Sequence, residues 1–163
     1  MDYSLMYEQI RALAQTDAHL IPLLSNACAV VYEEMNDVNW AGFYLLRNGQ
    51  LVVGPFQGKP ACIHIAIGKG VCGTAVMEKR TIRVDDVHAF PGHIACDAAS
   101  AAEIVLPLSQ NGRIFGVLDI DSPVKNRFTA DDEEGLSRIA SLIGECAVID
   151  GAVDRAEDSS RTL

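Results

Sequence analysis

The chain has 163 residues, of which 49% are hydrophobic and 21% charged, and its formal net charge is −9. That size suits one domain with one substantial core, and so negative a surface repels nucleic-acid phosphates and anionic lipid alike. The longest apolar runs fall well short of the roughly eighteen residues a membrane helix needs, and Met1-Asp2-Tyr3-Ser4-Leu5 lacks the basic start and apolar stretch of a signal peptide, so the cytoplasm is the expected compartment.

Leu5, Ile10, Leu13 and Ala14 recur at near-helical spacing and predict a first helix over residues 4–14. Thr16 and Asp17 break the pattern, and either can cap a new helix. The apolar stretch from Leu20 to Val31 predicts a second helix over residues 18–35, with Cys28 reading as a buried, inert thiol among Ala and Val. Trp40 to Leu46 reads as a strand, Arg47-Asn48-Gly49-Gln50 as a hairpin turn and Leu51 to Phe56 as the returning strand. Cys62 to Ile67 alternates weakly and predicts a third strand. Gly68-Lys69-Gly70-Val71-Cys72-Gly73 then reads as a tight turn opening a short helix through Lys79, and Arg80 to Val84 as another short strand.

A long loop comes next, from Asp86 through His88, Pro91, Gly92, His93 and Cys96 to Ser100. Glu103–Leu108 and Ile114–Ile120 form a second hairpin around Gln110-Asn111-Gly112-Arg113. Thr129 and Asp132 have capping-box spacing at the start of a final helix, whose apolar face is Leu136, Ile139, Ala140, Leu142 and Ile143, with Cys146 as a packing residue. Residues 1–150 are expected to form a single domain and residues 151–163 a polar tail. Helices at the ends and strands in the middle predict an α+β domain: one antiparallel sheet, helices on one face, and a ligand pocket on the other.

Three constellations carry chemistry. The first is Cys62, Cys72 and Cys96. Five cysteines without an export signal argue against a structural disulfide framework but allow a transient, catalytic disulfide. Cys72 lies near the expected start of a helix, where the dipole would favour a thiolate, and Cys96 comes after a Pro-Gly loop. Three unrelated buried cysteines would read the same way from spacing alone. A zinc site could draw on the three with His64, His88 or His93, but the spacings match no common structural zinc pattern, so no metal is expected.

The second constellation is acidic. Asp119 and Asp121 share one face of an apolar strand because side chains alternate with period two, and Glu103 begins the neighbouring strand. Acids in such a place are costly unless used, here to recognise a cationic group or to donate a proton. The third is aromatic: Trp40, Phe43 and Tyr44 can wall an apolar group if they face the acids. The glycine-rich turn at residues 68–73 can cradle an anion but is no P-loop.

Taken together, Gly92-His93-Ile94-Ala95-Cys96-Asp97-Ala98-Ala99-Ser100 through Glu103-Ile104-Val105-Leu106-Pro107-Leu108, with Gly116-Val117-Leu118-Asp119-Ile120-Asp121-Ser122, Asn39-Trp40-Ala41-Gly42-Phe43-Tyr44 and Gly70-Val71-Cys72-Gly73-Thr74-Ala75, resemble the free methionine-(R)-sulfoxide reductases, a GAF-domain family. The resemblance spans roughly residues 25–150. It implies a GAF fold, free methionine (R)-sulfoxide as substrate, no cofactor, and thioredoxin as the source of reducing equivalents. By the same resemblance Cys96 would be the nucleophile and Cys62 the thiol that resolves its sulfenic acid, with Cys72 an alternative or second resolving thiol. Asp121 would be the acid near the sulfoxide oxygen. Glu103 and Asp119 would hold the substrate ammonium, and Trp40 and Tyr44 would wall its methyl group. Other readings are a non-catalytic GAF module that binds a small ligand and a redox switch built on the same thiols. The two leading helices also offer a surface to a second copy, a homodimer.

Overall fold

A computed structural model describes residues 1–92, 94 and 98–151. Helices α1 (Tyr3–Thr16) and α2 (Leu20–Glu34) come first. After them come β1 (Trp40–Arg47), β2 (Gln50–Gly58), β3 (His64–Ala66), α3 (Gly70–Glu78), β4 (Ile82–Val84), β5 (Ala102–Gln110), β6 (Arg113–Ser122) and α4 (Ala130–Cys146). The strands form one antiparallel sheet in the order β3-β2-β1-β6-β5-β4. Two hairpins, β1–β2 and β5–β6, meet through the β1–β6 pair, which places Trp40 opposite Asp121 and Gly42 opposite Asp119.

Alternation along the central strands splits the interior into two cores. Ala41, Phe43 and Leu45 of β1, Ile104, Leu106 and Leu108 of β5, and Leu118 and Ile120 of β6 face α1, α2 and α4. Trp40, Tyr44 and Leu46, with Val105 and Val117, face the opposite way, toward α3. The three long helices thus share one face, as the element order implies, while short α3 lies over the other and leaves room beside it for a pocket. The expected third strand contracts to His64–Ala66, and Cys62 lies in the loop before it. The start of α2 also differs from expectation: His19 is its N-cap, and Asp17 Oδ1 accepts the His19 N–H at 2.8 Å from just outside.

The helical layer is locked at one corner. Thr129 caps α4, its hydroxyl accepting the Asp132 N–H at 3.2 Å while Asp132 Oδ2 accepts the Thr129 N–H at 2.7 Å, the reciprocal capping box expected from sequence. The Tyr3 hydroxyl donates to Asp132 Oδ1, and Arg127 Nη1 pairs with Oδ2 at 3.2 Å. The Tyr3 ring lies so close over Gly135 that a Cβ there would come within 2.2 Å of it. The far end of α4 is closed by the Gln110 amide, which donates to the carbonyls of Gly144 and Ala147 at 3.0 and 2.8 Å and so satisfies oxygens a helix end leaves orphaned.

Burial raises the Asp132 carboxyl, but the hydrogen bonds from Tyr3 and Thr129 and the charge of Arg127 outweigh it, and its pKa falls below the ordinary value. A depressed carboxyl adds stability that is present above its unfolded pKa and lost as pH falls through the folded one. We therefore expect Asp132→Ala to lower stability by roughly 2–3 kcal/mol at pH 7 and Thr129→Ala by about 1 kcal/mol. In urea melts the Asp132→Ala penalty should shrink as pH drops below about 4, where the unfolded carboxyl protonates.

Candidate active site

One pocket gathers nearly every predicted site residue that lies within the described part of the chain. It is lined by Trp40, Tyr44, Cys72, Glu103, Asp119 and Asp121, closed further by Lys59-Pro60-Ala61, Ile65, Gly70-Val71, Ile94 and Ser100. Its floor is the α3 side of β1, β5 and β6. Period two brings Asp119 and Asp121 to this face, and the register sets Glu103 directly across from Asp121. Glu103 and Asp119 are both 6% exposed, and Asp121 is half-buried.

The aromatic wall is Trp40 with Tyr44, ring centroids 5.8 Å apart, and Trp40 with Phe56 at 5.2 Å and nearly parallel. Phe56, not Phe43, is the third member. Phe43 is an odd number of residues from both Trp40 and Tyr44 along β1, so period-two alternation turns it to the opposite face, and it points into the helical core. Gly42 makes the stack fit, since a Cβ there would lie 2.3 Å from the Phe56 Cβ and 2.7 Å from the Trp40 ring. The wall also holds the loop after β2: Trp40 Nε1 donates to the Lys59 carbonyl at 3.1 Å and the Tyr44 hydroxyl to the Cys62 carbonyl at 3.0 Å. Sequence periodicity gave no sign of these loop contacts.

Cys62 is half-buried and disulfide-bonded, whereas Cys28, Cys72 and Cys146 are free thiols. Cys96 lies outside the described residues, as does His93. At Ser100, Oγ accepts from Asn39 Nδ2 at 3.3 Å. The chain is then pinned by Ala101, whose N–H donates to the Ser122 carbonyl at 2.7 Å and whose carbonyl accepts the Val87 N–H at 2.9 Å. His88 is exposed. In the glycine-rich turn the Gly68 and Gly73 N–H groups are spent on the carbonyls of Gly73 and Lys69, so the turn builds the start of α3 and the pocket wall.

The thiol of Cys72 corrects an expectation. It sits in the first turn of α3, but it is buried against acids, with Sγ 4.0 Å from Glu103 Oε1. Burial first, then the charges of Asp119 and Glu103, push its pKa well above the ordinary thiol value, so the helix dipole does not make it a thiolate. Burial, with the charges of Asp119 and Asp121, likewise raises Glu103 well above the usual carboxylate range. Burial lifts Asp119 to about 7, against the pull of hydrogen bonds with Cys72 and Glu103. The Tyr44 phenol is pushed up by burial and then by Asp119. Among the described residues the only basic side chain lining the pocket is Lys59, exposed at its mouth. The site is therefore built to receive positive charge and to hold protons near neutral pH.

An acid raised by folding contributes stability that is fully present below its unfolded pKa and lost as pH rises through the folded one. For Asp119 that window runs from the ordinary carboxylate range up to about 7. The ligand-free protein should thus melt at progressively lower temperature from about pH 4 to pH 7. Asp119→Asn should flatten that slope and gain on the order of 2 kcal/mol at pH 8, read by thermal melts across pH. A thiol reagent at neutral pH should leave Cys72 unmodified until the protein unfolds, as peptide mapping would report.

The GAF domain family matches residues 20–146. Over 141 residues, 86% of each chain, the protein is 52% identical to the free methionine-R-sulfoxide reductase of Escherichia coli. It is 53% identical to protein YtsP of Bacillus subtilis over 144 residues, 87% of this chain and 88% of that one. The structure of the Staphylococcus aureus fRMsr in complex with its substrate superimposes with a TM-score of 0.86 at 49% identity, covering 90% of this chain and 96% of that one. With this fold, this pocket and these relatives, the chain belongs to the free methionine-R-sulfoxide reductases of the GAF-domain family.

Proposed function

We propose that the protein reduces free methionine (R)-sulfoxide to methionine, with reducing equivalents from thioredoxin and no cofactor. The observation that carries this reading is the conjunction, in one pocket, of a stacked aromatic wall with three acids, beside a loop cysteine that is disulfide-bonded. The Staphylococcus aureus relative was seen with its substrate bound, and a free amino acid is what such an enclosed acidic pocket suits. Its ammonium lies against Glu103 and Asp119, and its methyl group packs on Trp40 and Tyr44. A methionine residue inside a protein has no ammonium to offer and brings flanking chain that the pocket walls exclude.

The chemistry is a two-thiol exchange. The Cys96 thiolate attacks the sulfoxide sulfur, the oxygen passes to the Cys96 sulfur as the methionine S–O bond and the transient sulfur–sulfur bond break, and methionine leaves with Cys96 as a sulfenic acid. The oxygen needs a proton as this happens, and Asp121, across from Glu103, is the acid assigned to give it. Cys62 then attacks the sulfenic sulfur, forming the disulfide and releasing water. Thioredoxin dithiol reduces that disulfide, so one sulfoxide consumes two electrons and two protons overall. Cys62 is the favoured resolving thiol: it is disulfide-bonded here, while Cys72 is free, buried and held protonated. The Tyr44 hydroxyl on the Cys62 carbonyl helps to fix where that thiol waits.

The test is NADPH consumption with thioredoxin and thioredoxin reductase, offering free methionine (R)-sulfoxide, the (S) epimer and a protein-bound sulfoxide in turn. Turnover with the free (R) form alone, abolished in Cys96→Ser, is the expected result. Activity with none of the three would leave a GAF ligand-binding module instead. In single-turnover quenches Cys62→Ser should still release one methionine per chain and then stop with a sulfenic acid, whereas Cys72→Ser should continue to turn over. Tyr44→Phe, which loses a hydrogen bond worth about 1 kcal/mol, should slow disulfide formation up to about fivefold while the first methionine appears at the normal rate.

A further inference from the structure

One corner of the pocket sets a thiol that sulfoxide reduction does not use, Cys72, beside the two acids assigned to the substrate ammonium. Cys72 Sγ and one carboxylate oxygen each of Glu103 and Asp119 lie within 4.8 Å of one another. They come from three separate elements, α3, β5 and β6, and all three residues are buried. Asp119 is 6% exposed, and its Oδ1 has no hydrogen-bond partner. A buried carboxylate oxygen without a donor is rare and expensive, and here it belongs to a pocket that already gathers three acids. A group that supplies positive charge at this corner would satisfy it.

We propose that Cys72, Glu103 and Asp119 form a binding site for one thiophilic divalent cation of the zinc class. A thiolate beside two carboxylates suits zinc, whereas calcium and magnesium take all-oxygen sites. Tetrahedral coordination with a sulfur at about 2.3 Å and oxygens at about 2.1 Å sets a sulfur–oxygen edge of about 3.6 Å. The Cys72 Sγ to Glu103 Oε1 separation is 4.0 Å, so a small side-chain adjustment closes the shell. Three protein ligands leave the fourth position to water. The cation replaces the Cys72 thiol proton and the protons held on the Glu103 and Asp119 carboxyls, all of which leave to solvent, and no electron moves. This set differs from the cysteine–histidine combinations weighed from sequence, because Cys62 is engaged in its disulfide and His64 and His88 are exposed.

The consequence for the enzyme rests on the proposed reductase function. If Glu103 and Asp119 hold the substrate ammonium, metal and methionine sulfoxide exclude each other. The reductase is then reversibly shut by a zinc-class ion without any change at the Cys62 disulfide.

The experiment is a cadmium titration of the protein in its disulfide form, read by the thiolate-to-cadmium charge-transfer absorption, with equilibrium dialysis against zinc for stoichiometry. One ion per chain is expected, with the band lost in Cys72→Ser. Asp119→Asn should retain the fold, checked by melting and Trp40 fluorescence, and weaken binding at least about tenfold. A band that survives in Cys72→Ser would assign the metal to another thiol and overturn the proposal, and so would dialysis that finds no bound ion. Adding methionine sulfoxide should then bleach the band in proportion to its occupancy. If cadmium binds through Cys72 but the sulfoxide never displaces it, the metal site stands and the placement of the ammonium on Glu103 and Asp119 falls. The absorption readout needs no turnover, so a failure of the reductase assay leaves this test intact.

Discussion

The structure depends on the burial of acids on the inner face of a sheet. Glu103 and Asp119 have almost no contact with water, and they meet each other, Asp121 and a thiol. Desolvation and like charge both act against ionisation, so the pocket holds protons at a pH where free carboxyls have lost them. That arrangement is unfavourable for folding and useful for binding. A ligand that brings positive charge relieves it, and one that can take a proton finds a donor in place.

The rest of the domain makes that burial tolerable. The opposite face of the same strands carries a large apolar core under α1, α2 and α4, and the capping box of α4 with Tyr3 and Arg127 fastens that layer. Stability is gathered on the helical side of the sheet, and the chemistry lies on the other side. Among the described residues α3 is the one α-helix that packs on the pocket side, where Val71, Cys72, Ala75 and Val76 meet the strands. The same helix brings Cys72 to the acids, so the element that roofs the pocket also places a thiol where ordinary thiolate chemistry is suppressed.

Two thiols nearby in sequence thus have opposite surroundings. Cys62 sits in a half-buried loop held by the Tyr44 hydroxyl on its carbonyl and is oxidised. Cys72 is sealed among carboxyls and is free. The difference comes from environment and not from the residue, which is the usual origin of selectivity among cysteines. The aromatic wall links the two regions, because Tyr44 lines the pocket and its hydroxyl reaches the loop.

Much of this was legible in the sequence where the signal was local. Period-two alternation placed Asp119 and Asp121 on one face, the Asn-Gly turns marked both hairpins, and Thr129 with Asp132 announced the capping box, because each depends on residues a few positions apart. The same alternation separates Phe43 from its neighbour Tyr44. What the chain alone left open was decided by long-range contacts. The pairing of β1 with β6 brings Trp40 opposite Asp121, and the stack recruits Phe56 from β2. The choice between thiolate and buried thiol at Cys72 turned on carboxyls some 31 and 47 residues further along the chain, on β5 and β6. Helix position is written in the sequence, but desolvation and neighbouring charge exist only once the sheet has closed, and here they are the larger effects.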